Sequence, residues 1–112
     1  MTAFICSGAV MKARLRITGG PLSGQTFEMA GERLVVGRGP ECDIIVPSPM
    51  VGRRTCMLLL DESTLRIRDL GSRSGTFVNG RPIRTDEIIL REGDLITAAG
   101  ISFVIEVEGL DP

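Results

Sequence analysis

The feature that most constrains this chain is its punctuation. Apolar and polar residues alternate in short runs, and Gly, Pro or Asn-Gly breaks them every five to twelve residues. In Arg14-Leu15-Arg16-Ile17 the aliphatic side chains face one way and the guanidiniums the other, as on a half-buried strand. Thr26-Phe27-Glu28-Met29 and Leu65-Arg66-Ile67-Arg68 repeat the pattern. Leu34-Val35-Val36, Asp43 to Val46, Thr55 to Leu60, Thr76-Phe77-Val78, Ile88-Ile89-Leu90, Leu95-Ile96-Thr97 and Ser102 to Val107 complete a series of about ten short strands. The Asn79-Gly80 pair is a strong tight-turn signal, because both residues tolerate positive φ. Pro47-Ser48-Pro49 cannot lie in a central strand and opens a loop reaching to about Arg53. No window of 12 or more residues carries a helical period, so the expected architecture is all-β, a two-sheet sandwich or barrel.

A chain of 112 residues is long enough for one such domain and its core. There is no Trp or Tyr and there are four Phe, so the core must be aliphatic. The expected core is Leu15, Ile17, Val36, Ile44, Leu58, Leu65, Ile67, Ile89, Ile96, Phe103 and Ile105. The domain is expected over residues 12–108. Residues 1–11 are read as a tail or first strand, with Met11 an alternative start, and residues 109–112 as a C-terminal tail.

Composition excludes several functions. The longest apolar run has five residues, Cys56 to Leu60, against about 20 needed to span a membrane, and no basic segment precedes an apolar core as in a secretory signal. The expected location is the cytoplasm, or the cytoplasmic part of a larger protein. With no histidine, Cys–His nucleophile pairs and His-containing zinc sites are ruled out. Cys6, Cys42 and Cys56 form neither a CxxC pair nor an even set, and read as small buried hydrophobes. No enzyme, metal site or cofactor is expected.

Net charge is -1, yet residues 33–84 hold nine arginines against five acids, whereas residues 85–112 hold one against seven. The central excess suits an anionic partner. Without aromatic stacking residues, nucleic acid is not that partner. Three polar loops stand out: Gly37-Arg38, then Ser48 to Arg54, then Gly71-Ser72-Arg73-Ser74-Gly75-Thr76, the last followed by Asn79-Gly80. Guanidinium forks match phosphate and carboxylate geometry, and hydroxyls or loop N–H groups can complete such a site.

The stretch from Leu34 to Ile83, LVVGRGPECDIIVPSPMVGRRTCMLLLDESTLRIRDLGSRSGTFVNGRPI, resembles the forkhead-associated (FHA) domain family. It carries counterparts of that family's Gly-Arg, Ser-Arg-x-His, Ser-x-Asn-Gly-Thr and Asn-Gly motifs in order and spacing. The resemblance implies an FHA/SMAD-like sandwich of two twisted sheets, about eleven strands in all, whose loops read phosphothreonine in a protein partner. It implies binding roles for Arg38 and Arg53, a variable position near the phosphate for Arg73, and structural roles for Gly37, Gly75, Thr76 and the Asn79-Gly80 turn. Arg54, Ser72, Ser74 and Asn79 are further anion-binding candidates, as Arg53, Arg54 and Arg73 could form a cationic pocket with Ser72 or Ser74 as hydroxyl donor.

Three positions depart from the family pattern. Gly52 replaces the phosphate-binding Ser, Thr55 the bracing His, and Ser74 the Asn that holds the partner's backbone. Losing one hydrogen bond to a charged group costs about 1.5–3 kcal/mol, or about 10- to 150-fold in affinity. The expected function is therefore a non-catalytic protein-protein interaction module with phosphothreonine recognition weakened or lost. The alternative is a phosphothreonine-peptide module with an arginine-rich pocket in place of the serine. In the bland reading the arginines are solvated or paired with Glu41, Asp43 and Asp69. Oligomeric state is left open.

Overall fold

The structure is a computed structural model and describes residues 12–29, 31–47, 52–61, 64–84, 86–98 and 100–108. The terminal segments 1–11 and 109–112, Cys6, and the Ser48-to-Val51 part of the second loop lie outside the described residues, as do Ala30, Glu62-Ser63, Thr85 and Ala99.

Eleven strands are described: β1 (Lys12–Gly19), β2 (Thr26–Glu28), β3 (Arg33–Gly37), β4 (Ile44–Ile45), β5 (Cys56–Leu60), β6 (Leu65–Asp69), β7 (Thr76–Val78), β8 (Arg81–Pro82), β9 (Glu87–Leu90), β10 (Leu95–Ala98) and β11 (Ile101–Glu108). They form a five-stranded sheet, β9-β6-β5-β3-β4, and a six-stranded sheet, β2-β1-β11-β10-β7-β8. The two sheets make the expected sandwich. All pairings are antiparallel except β3 with β4. No described helix is long and apolar enough to cross a membrane.

Alternation in the sequence becomes burial in the fold. Leu15 and Ile17 of β1, Leu58 of β5, Leu65 and Ile67 of β6, Ile96 of β10 and Phe103 and Ile105 of β11 are fully or almost fully buried in one core, with Val36 and Ile44. Phe27 and Met29 pack partly buried against it. Outward residues pair instead: Arg14 and Arg16 reach Glu106 across the β1–β11 ladder at 3.3 and 3.0 Å.

One core assignment is corrected. Ile89 is 55% exposed. The run Ile88-Ile89-Leu90 has no alternation to choose its face, so the register decides. Ile88 pairs with inward Ile67 and Leu90 with inward Leu65, which turns Ile89 outward on an edge strand. The short β8 was also not anticipated, because Pro82 argues against a strand. It is tolerated there since β8 is an edge. The turn between β7 and β8 is the expected one, with φ of 52° at Asn79 and 85° at Gly80.

Truncating Leu58 to Ala is expected to cost about 2–5 kcal/mol, and Ile89→Ala no more than about 0.5 kcal/mol. Urea unfolding of both variants checks this. Comparable losses would contradict the register of β9.

Candidate binding loops

The first two loops are zipped together by main chain. β3 ends at Gly37, and beyond it the Arg38 N–H donates to the Gly52 carbonyl at 2.9 Å and the Gly39 N–H to the Arg53 carbonyl at 3.0 Å. The Cys42 thiol donates to the same Arg53 oxygen at 3.0 Å. Only glycine fits at position 37, because a Cβ there would lie 2.3 Å from the Arg53 oxygen and 2.8 Å from the Arg54 Cα. The approach of the 52–54 segment thus depends on the bare backbone of Gly37. Asp43 closes the β3–β4 turn, its carboxylate accepting the Val35 N–H at 2.8 Å.

The second and third loops meet through Thr55. Its N–H donates to the Val36 carbonyl at 2.7 Å, and its carbonyl accepts the Leu70 N–H at 2.9 Å. The side chain is buried, and its hydroxyl has no hydrogen-bond partner among the described residues. All three loops therefore share one end of the sandwich.

Asp69 organises the third loop. Its carboxylate accepts the Ser72 and Thr76 hydroxyls, both at 2.6 Å, and the N–H groups of Gly71 at 2.9 Å and Ser72 at 3.1 Å. Ser72 in turn accepts the Gly75 N–H at 3.0 Å. Burial pushes the Asp69 carboxyl up, but the hydrogen bonds from Ser72, Thr76 and Gly71 outweigh it and hold the group below its ordinary range. Beside it, burial and then the Asp69 charge push the Cys56 thiol up to about 12. Burial likewise raises Cys42. Both thiols are poor nucleophiles. Among the described residues, no cluster of His, Cys, Asp or Glu could hold a metal ion.

The candidate binding residues separate into two groups. Arg38, Arg53, Arg54, Arg73 and Ser74 are exposed at the loop end. Arg53 and Arg54 each face Glu41, at 3.8 and 3.9 Å. Arg73 and Ser74 make no hydrogen bond or ion pair with any described residue. Ser72 and Asn79 make hydrogen bonds within the fold. The Ser72 hydroxyl proton is committed to Asp69. Asn79 donates to Asp94 and accepts the Leu95 N–H, both at 3.0 Å, at the far end of β7. Sequence reasoning missed Arg84. The Ile83 N–H donates to the Thr76 carbonyl, bringing the turn with exposed Arg84 (φ 50°) beside the third loop. Nothing in its local sequence marks that return.

The FHA domain matches residues 34–99, more than half of the chain. This chain belongs to the FHA domain family. It is 33% identical over 82 residues to the glycogen accumulation regulator GarA of Mycolicibacterium smegmatis, covering 73% of this chain and 51% of that protein. It is 33% identical over 89 residues to human proliferation marker protein Ki-67, covering 80% of this chain and 3% of that protein. The chain thus spans about half of one of these relatives and a small part of the other. A solved structure described for phosphothreonine-dependent FHA domain interactions superimposes with a TM-score of 0.75 at 26% identity, covering 90% of this chain and 98% of that one. As an FHA domain, the chain is a non-catalytic protein-protein interaction module.

Asp69→Asn is expected to cost roughly 2 kcal/mol at pH 7. Because the folded-state pKa is depressed, the carboxylate's contribution is full above the unfolded value near 3.8 and fades as pH falls through the lower folded value. Urea unfolding from pH 7 down to 3 should show the gap between wild type and variant narrowing below about pH 4. A gap that widens there would contradict the hub.

Proposed function

We propose that this FHA domain binds phosphothreonine peptides at the loop end, with guanidiniums of Arg38, Arg53, Arg54 and Arg73 supplying what the family's serine hydroxyl supplies elsewhere. The observation carrying the reading is the main-chain clasp from Arg38 and Gly39 to Gly52 and Arg53, which holds two arginine-bearing loops in register. The bracing expected of the absent histidine is supported by Thr55 main chain on one side and by Asp69, Ser72 and Thr76 on the other. The departures at Gly52 and Ser74 then remove individual donors and leave the scaffold that presents the rest. Each guanidinium offers several donors that make charge-assisted bonds to a phosphoryl group, so one lost hydroxyl can be offset. The likeness to a structure described by its phosphothreonine-dependent interactions favours this reading over a purely phospho-independent one.

The missing hydroxyl can be restored. A Cβ at Gly52 would meet nothing closer than 3.9 Å. Calorimetric titration with a phosphothreonine peptide library of degenerate flanks should show binding at least about tenfold tighter than to its unphosphorylated counterpart. Arg38→Ala should abolish that preference, and Gly52→Ser should tighten binding by about tenfold or more. Equal affinity for both libraries would instead support phospho-independent binding.

A further inference from the structure

We infer that Glu41 is a built-in competitor for the phosphoryl group, an internal anion that occupies the arginine fork until a ligand displaces it; this rests on the phosphopeptide reading above. Its two carboxylate oxygens face different guanidiniums, Oε1 lying 3.8 Å from Arg53 Nη2 and Oε2 3.9 Å from Arg54 Nε. That is the arrangement in which two oxygens of a phosphoryl group would meet the same pair of donors.

The seat for this carboxylate is made by Gly39. The turn from Gly39 to Cys42, closed by the Cys42 N–H to the Gly39 carbonyl at 3.0 Å, folds Glu41 back over the loop. A Cβ at position 39 would lie 2.6 Å from Glu41 Oε1, 2.8 Å from Cδ and 2.9 Å from Oε2, and these are its three nearest neighbours. The absent side chain at 39 thus leaves the space that the carboxylate fills.

The contacts are long and open to solvent, with the Glu41 side chain 44% exposed and those of Arg53 and Arg54 70% and 63% exposed. Such pairs are weak and yield to a stronger anion. A phosphoryl group brings a charge of about -1.5 to -2 and three acceptor oxygens, and outmatches a single carboxylate. Glu41 therefore lowers affinity without closing the site. It offsets one of the fork's two positive charges in the unliganded domain and keeps phosphopeptide binding readily reversible.

The test compares wild type, Glu41→Gln, Gly39→Ala and the double variant by fluorescence anisotropy with the phosphothreonine library and its unphosphorylated counterpart. Glu41→Gln keeps the shape and removes the charge, and should tighten phosphopeptide binding by about two- to fivefold. Gly39→Ala should push the carboxylate aside and give a gain of the same sign in wild type, but none on top of Glu41→Gln. If wild type binds the phosphopeptide and Glu41→Gln binds it equally or more weakly, Glu41 is no competitor and the inference is overturned alone. If neither protein prefers the phosphorylated library, the phosphopeptide reading falls with it.

Discussion

The loop end depends on the contact at Gly37, where the 52–54 segment passes so close to β3 that no side chain fits between them. Two main-chain hydrogen bonds and the Cys42 thiol then fasten that segment, so that Arg38 on one loop and Arg53 on the next are placed by backbone. Side-chain hydrogen bonds in a solvated loop contribute modestly and exchange readily with water. Backbone bonds beside a buried glycine are held by the sheet itself. A loop end built this way keeps its backbone frame when individual polar side chains are lost, and the departures in this FHA domain at Gly52 and Ser74 are of that kind.

The same logic accounts for the third loop. Four donors converge on the Asp69 carboxylate, and Thr76 links it to the six-stranded sheet while Asp69 itself ends a strand of the other. The loop is thereby tied to both layers of the sandwich. Ser72 is consumed in the process, which leaves Arg73 and Ser74 as the exposed polar side chains of that segment. Neighbouring residues thus differ in what they face, with the Ser72 hydroxyl turned in to Asp69 and the Arg73 and Ser74 side chains exposed.

Much of the fold was legible in the sequence because alternation and turn residues report directly on burial and on φ. Leu15, Ile17, Leu65 and Ile67 occupy the faces their spacing assigns, and Asn79-Gly80 makes the expected turn. Ile89 was not legible, since three consecutive aliphatic residues carry no period and only pairing with β6 settles the face. The site was legible as a set of loops through family spacing, but the state of its side chains was not. Whether a serine hydroxyl is spent, as at Ser72, or an arginine meets an acid, as Arg53 and Arg54 meet Glu41, depends on contacts that no local pattern encodes. Arg84 escaped for a related reason, because its nearness to the third loop follows from the return of the chain after β8.

The central claim is that one preassembled loop end, fastened at Gly37, receives the phosphorylated residue. An NMR titration of the isotopically labelled domain with the phosphothreonine library tests it most directly. The account predicts that amide resonances of residues 37–39, 52–54 and 73–76 shift together and respond only to the phosphorylated peptides. Shifts confined to the outer faces of the sheets, or produced equally by the unphosphorylated peptides, would contradict it.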